Sequence, residues 1–151
     1  MSLKRKLRCD TLGCKMGFTV KGILRLLDKK FARQNIDLTL EQYFILNIVN
    51  NEERLILQDL TEILNRDKSA IARHLNGLEE KHFVARTTDP EDKRRKILLI
   101  TKPGIQILKK AKKLARQINR DITCDISEKD LQQFESVLAK IYKQIDSEGL
   151  C

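Results

Sequence analysis

Asp89-Pro90-Glu91-Asp92-Lys93-Arg94-Arg95-Lys96 separates two apolar runs, Phe83-Val84-Ala85 and Ile97-Leu98-Leu99-Ile100. Asp-Pro favours turn initiation, and a proline has no amide to give to a sheet ladder, so the stretch reads as the tip of a β-hairpin. A rigid tip carrying Lys93, Arg94, Arg95 and Lys96 suits the groove of a polyanion. A charge run by itself is more often a solvated loop. The segment immediately upstream decides between the two readings.

From Leu57 to Leu64 the apolar residues Leu57, Leu60, Ile63 and Leu64 recur at helical spacing. Asn65-Arg66 interrupts them, and asparagine tolerates the left-handed conformation that ends a helix. Asp67 is a natural N-cap for a second helix, its carboxylate placed for the amide of Ser69 or Ala70. Ile71, Leu75 and Leu78 then form one buried stripe. The opposite face presents Ser69, Arg73, Asn76 and Glu80, flanked by Ala72 and Gly77. Such a small, polar face fits a major groove, where arginine reads guanine and asparagine reads adenine. Helix, tight turn, helix and basic hairpin is the order of a winged helix-turn-helix, so the fold expected is mainly α with a small β-hairpin wing.

Leu38-Thr39-Leu40-Glu41-Gln42, Asp67-Lys68-Ser69-Ala70-Ile71-Ala72-Arg73, Leu78-Glu79-Glu80-Lys81 and the Asp89–Arg95 stretch, with Thr101-x-x-Gly104 after it, together resemble the MarR family of bacterial transcription regulators. The similarity of order and spacing runs from about Thr19 to Ile145. The resemblance implies a homodimer on a pseudo-palindromic DNA operator, usually a repressor released by a small ligand or by oxidation. It implies that Ser69, Ala70 and Arg73 face bases or nearby phosphates, and with Lys68 and Asn76 they make the expected DNA-contact set of the recognition helix. Arg94 would reach the minor groove, braced by a salt bridge from Asp92, with Lys93, Arg95 and Lys96 beside it. Two positions depart from the family pattern. His82 stands where glycine is usual, and Lys93 replaces a common arginine, which softens phosphate contact because lysine acts as a point charge.

The 151 residues suffice for one domain with a modest core. A net charge of +9 favours a polyanionic partner. There is no apolar run long enough for a membrane span and no secretory signal after the basic N-terminus, which leaves the cytoplasm as the expected location. Cys9, Cys14, Cys124 and Cys151 form no CxxC pair, and with only His74 and His82 besides, no metal-ligand spacing arises. No cofactor is expected. An enzyme is disfavoured as well, since glycine-rich phosphate loops and HExxH are absent.

The remaining sequence reads as long helices. Residues 1–17 form a basic tail, 18–36 a dimerisation helix, 37–101 the winged domain, 102–146 C-terminal dimerisation helices and 147–151 a tail. Val20, Ile23, Leu24, Leu27 and Phe31 share a side of the first helix. Thr39 and Gln42 form a capping box for the next, which is expected to bury Phe44, Leu46 and Ile48. Thr101 caps a helix with the stripe Ile105, Leu108, Ala111, Ala115, Ile118 and Ile122. Ser127 opens the last, striped by Leu131, Phe134, Leu138, Ile141 and Ile145. Such stripes ask for a partner surface, and a second copy would set two recognition helices roughly 34 Å apart, one DNA turn.

A signal input is less legible. The family places its ligand pockets between dimer platform and winged domain, so Phe18, Phe31, Tyr43 and Phe44 are the candidate lining residues. Cys14 is the candidate for a redox-sensing alternative, although the tyrosine partners of the peroxide-sensing branch are missing around Leu27 and Leu40. A further alternative is a basic winged module for non-specific nucleic-acid or protein contact. The few aromatic residues are not interleaved with basic ones, which disfavours stacking on single strands.

Overall fold

The structure, a computed structural model, describes residues 10–147. The order is α1 (Leu12–Arg33), α2 (Leu40–Asn51), α3 (Leu57–Leu64), α4 (Lys68–Glu80), β1 (Val84–Thr88), β2 (Lys96–Ile100), α5 (Lys102–Thr123) and α6 (Glu128–Ser147). The chain divides into two units, one ending at Arg116 and the other beginning at Gln117, so α5 runs across the division.

In the first unit the helix boundaries follow from capping. Thr11 accepts the Cys14 amide at 3.3 Å, so α1 begins at Leu12 rather than at Phe18. Gly13 and Gly17 dilute the apolar pattern there without breaking the helix. At α2 the Gln42 amide donates to Thr39 Oγ1 at 3.1 Å, and Gln42 Oε1 accepts the Thr39 amide at 3.2 Å, a reciprocal box. Asn65 takes φ 46 and ends α3; the Asp67 carboxylate then accepts the Ala70 amide at 2.8 Å and opens α4.

The core of this unit joins the inner faces of these helices to the hairpin. Leu27, Phe31, Ile45, Leu46, Val49, Leu60, Ile71, Leu75, Leu78, Val84 and Leu98 are all buried. The register on α2 differs from expectation, for Phe44 is exposed and Ile45 is the buried residue beside Leu46 and Val49. Ile63 on α3 also faces outward. Gln42 is buried because Lys81, at the end of α4, donates to its Oε1 at 3.3 Å and to Asp37 at 2.7 Å.

β1 and β2 pair antiparallel, Val84 opposite Ile100 and Thr88 opposite Lys96. The turn into the hairpin passes through His82 at φ 58, the left-handed conformation for which glycine is the usual choice. Thr101 then closes the hairpin base, its hydroxyl donating to the His82 carbonyl at 2.6 Å and accepting the Gly104 amide at 3.1 Å. In the second unit Ser127 caps α6, accepting the Asp130 amide at 3.2 Å. No residue of α6 is buried, and Phe134, Val137, Tyr142 and Ile145 are exposed.

Candidate nucleic-acid interface

α4 buries Ile71, Leu75 and Leu78, and its other side exposes Lys68, Ser69, Arg73, Asn76 and Glu80, while Ala70 is half-buried. The wing tip exposes Lys93, Arg94, Arg95 and Lys96. The two meet. Lys68, Arg86, Arg94, Arg95 and Lys96 line a concave surface of about 320 Å³ together with Ile56, Leu57, Gln58 and Leu98. Five cations around one hollow form an anion cradle between the start of the second helix and the hairpin, and the backbone of a polyanion is the ligand that such a field attracts.

The wing tip is ordered by local bonds. Asp92 Oδ1 accepts the Arg94 amide at 2.9 Å, and its carbonyl accepts the Arg95 amide at 2.9 Å. The expected salt bridge from Asp92 to the Arg94 guanidinium does not form among the described residues; the carboxylate is spent on the backbone of the turn, two residues on, as aspartate in a tight turn favours. Lys96 Nζ donates to Thr88 Oγ1 at 2.6 Å, across the last pair of the ladder.

Two arginines that the sequence reading passed over organise this surface. Arg86 on β1 donates to Asn76 Oδ1 at 3.1 Å and pairs with Glu79 at 3.0 Å. Arg54, in the loop between α2 and α3, pairs with Asp89 at 2.7 Å and Glu91 at 2.6 Å. The Glu91 amide and then the Arg54 guanidinium hold the Asp89 carboxyl below its ordinary range, against the effect of burial. Arg54 does the same for Glu91, more directly. Both partners lie far from Arg54 in sequence, so no local pattern announces either pair.

A second hollow of about 370 Å³ lies between α1, α2 and the helix-turn-helix, with Leu24, Phe44, Ile45, Ile71, Arg66 and His74 on its walls. Of the four aromatic candidates only Phe44 reaches it. Phe31 is 1% exposed and packs edge-on against the half-buried Tyr43 with ring centroids 5.5 Å apart, so Phe31 serves the core. Burial raises the Tyr43 phenol, with Arg116 opposing. Phe18 is exposed.

Cys14 is disulfide-bonded. Cys124 is free and exposed. Among the described residues no group of His, Cys, Asp and Glu could hold a metal ion, and no helix is long and apolar enough to cross a membrane.

A helix-turn-helix whose second helix opens a polar face beside a basic hairpin defines the winged helix-turn-helix class. Residues 38–96 match the MarR family. The putative transcriptional regulatory protein for the hcr operon of Thauera aromatica is 31% identical over 106 residues, covering 70% of this chain and 63% of that protein. The HTH-type regulator YdgJ of Bacillus subtilis is 23% identical over 130 residues, covering 86% of this chain and 79% of its own. Among solved structures, a mutant MarR from E. coli complexed with operator DNA superposes with a TM-score of 0.76 at 22% identity, over 93% of this chain and 99% of that one. The resemblance to the MarR family read from the sequence is thus shown, in the match over the winged domain and in these relatives.

Proposed function

We propose that this protein is a cytoplasmic, non-enzymatic transcription regulator, acting as a repressor, that binds a pseudo-palindromic duplex operator as a homodimer. The observation that carries the reading is the shared cradle of Lys68 with Arg86, Arg94, Arg95 and Lys96 beside the open face of α4. Phosphate contacts from this cradle fix the register, while Ser69, Arg73 and Asn76 address base edges. The relatives are transcription regulators, and the E. coli structure holds operator DNA, which supports the same use here.

The homodimer accounts for the exposed stripe of α6, where Phe134, Val137, Tyr142 and Ile145 stay open in a single copy. An apolar stripe on a soluble helix calls for a facing surface, and a second copy supplies one. The effector is a small, mainly apolar molecule seated in the hollow by Phe44, Ile45 and Ile71. Because Ile71 belongs to the recognition helix, a ligand there binds one setting of α4 better than another and thereby weakens DNA binding.

Selection of binding sites from random duplex DNA at fixed physiological salt tests the reading. An inverted repeat with half-sites about one helical turn apart is expected. Recovery of no motif would leave a basic winged module with general affinity, the alternative.

A further inference from the structure

Arg54 sits at φ 56, a backbone setting that a non-glycine residue keeps only when its surroundings enforce it. The enforcement is visible on both sides. Its guanidinium forks to Asp89 Oδ1 and Glu91 Oε1, and the neighbouring Leu55 carbonyl accepts the Leu98 amide of β2 at 2.8 Å. Asp89 is 1% exposed, and its Oδ1 also accepts the Glu91 amide at 3.0 Å. The Asp89 amide in turn donates to the Arg95 carbonyl at 3.0 Å. A continuous set of bonds therefore runs from the α2–α3 loop through Asp89 to Arg95, inside the cation cluster. The second Asp89 oxygen is buried without a hydrogen-bond partner, so this carboxylate leans on Arg54 for its compensating charge.

We propose that Arg54 is a positioning residue for DNA binding: through Asp89 and Glu91 it holds the wing tip where Arg94 and Arg95 share one surface with Lys68. Arg54 contributes by ordering the wing before DNA arrives, which lowers the entropy cost of binding, and not by touching DNA. The inference rests on the function proposed above. Lysine at this position keeps a charge but cannot fork to two carboxylates, so it is a partial substitute.

The test is a double-mutant cycle on the full chain, with fluorescence anisotropy on the duplex recovered by selection. Arg54→Ala is expected to weaken binding about tenfold, a coupling of ordinary size. Arg54→Lys should fall between it and the parent. Added to Arg94→Ala and Arg95→Ala taken together as one arm of the cycle, the Arg54→Ala change should cost less than about twofold more, because the wing contacts that it prepares are already gone. Losses that multiply would place Arg54 on the DNA or in an independent role and overturn the proposal, as would parental affinity in a folded Arg54→Ala dimer. If Arg54→Ala does not fold, Glu91→Gln, which removes only the outer pair, takes its place in the cycle and is judged by the same rule. Amide exchange without DNA separates the two readings. Faster exchange at Asp89 and Glu91 with α4 unchanged, in a protein that selects no motif, would retain the clamp while removing both the proposed function and this role in it.

Discussion

Arg86, on the first strand of the wing, donates to Oδ1 of Asn76 on the recognition helix at 3.1 Å. A guanidinium has donors only, so Asn76 must give it the carbonyl end of its amide and turn its own donors away. A bidentate adenine contact needs both ends of that amide, and guanine offers acceptors that the donors alone can use. Under the function proposed above, the wing sets which end of the Asn76 amide is open to a base.

Arg86→Ala is predicted to change base preference at the position that Asn76 faces, toward adenine, by roughly the 1–3 kcal/mol of a good side chain–base pair. Site selection repeated with the variant reads this directly. An unchanged motif with uniformly weaker binding would assign Arg86 to phosphate contact alone.

Gly104 lies where the base of the hairpin meets α5. A Cβ there would stand 2.1 Å from the Phe83 carbonyl oxygen and 2.9 Å from Ile100 Cγ1. Backbone cannot yield as a flexible side chain can, so Gly104→Ala should destabilise by about 1–3 kcal/mol. Thermal unfolding would show it as a clear drop in Tm; an unaltered Tm would mean that the Thr101 cap is looser than described.

His82 bears the opposite kind of strain. At φ 58 its side chain gains nothing from the left-handed setting, and His82→Gly should stabilise the fold by up to about 1 kcal/mol. Urea unfolding of the two proteins compares them; a destabilised glycine variant would show that the imidazole makes a compensating contact.

Asp89 and Glu91 are both held below their ordinary carboxylate values in the folded chain. A depressed folded value means that the clamp contributes fully above the unfolded range, about 4, and loses that contribution as pH falls below it. Amide protection at Asp89 and Glu91 is therefore expected to hold steady from about pH 5 to 8 and to decline in acid below about 4. Loss of protection already near neutrality would point to a different titrating group.

The helix-turn-helix was legible because its punctuation is local. Asn65, Asp67 and the Ile71, Leu75, Leu78 spacing each act within a turn of chain, and the structure places them as their chemistry requires. The hairpin was legible for the same reason. What escaped acts across distance: Arg54 meets Asp89 35 positions away, and Arg86 meets Asn76 across a strand-to-helix gap of 10. The assignment of Asp92 to the Arg94 guanidinium missed a nearer competitor, the backbone amide of the same residue. Phe31 and Tyr43 were pocket candidates through the family resemblance alone, and nothing local in the sequence announces that the two rings pack on each other.

The most direct test of sequence-specific reading by α4 and its wing is the ratio of affinities for the selected duplex and a scrambled one, at one fixed salt. At least about a thousandfold preference is expected in the parent protein, reduced sharply in Arg73→Ala, with weaker binding to both duplexes in Arg94→Ala. A ratio near one in the parent protein, with affinity governed by salt alone, would contradict it.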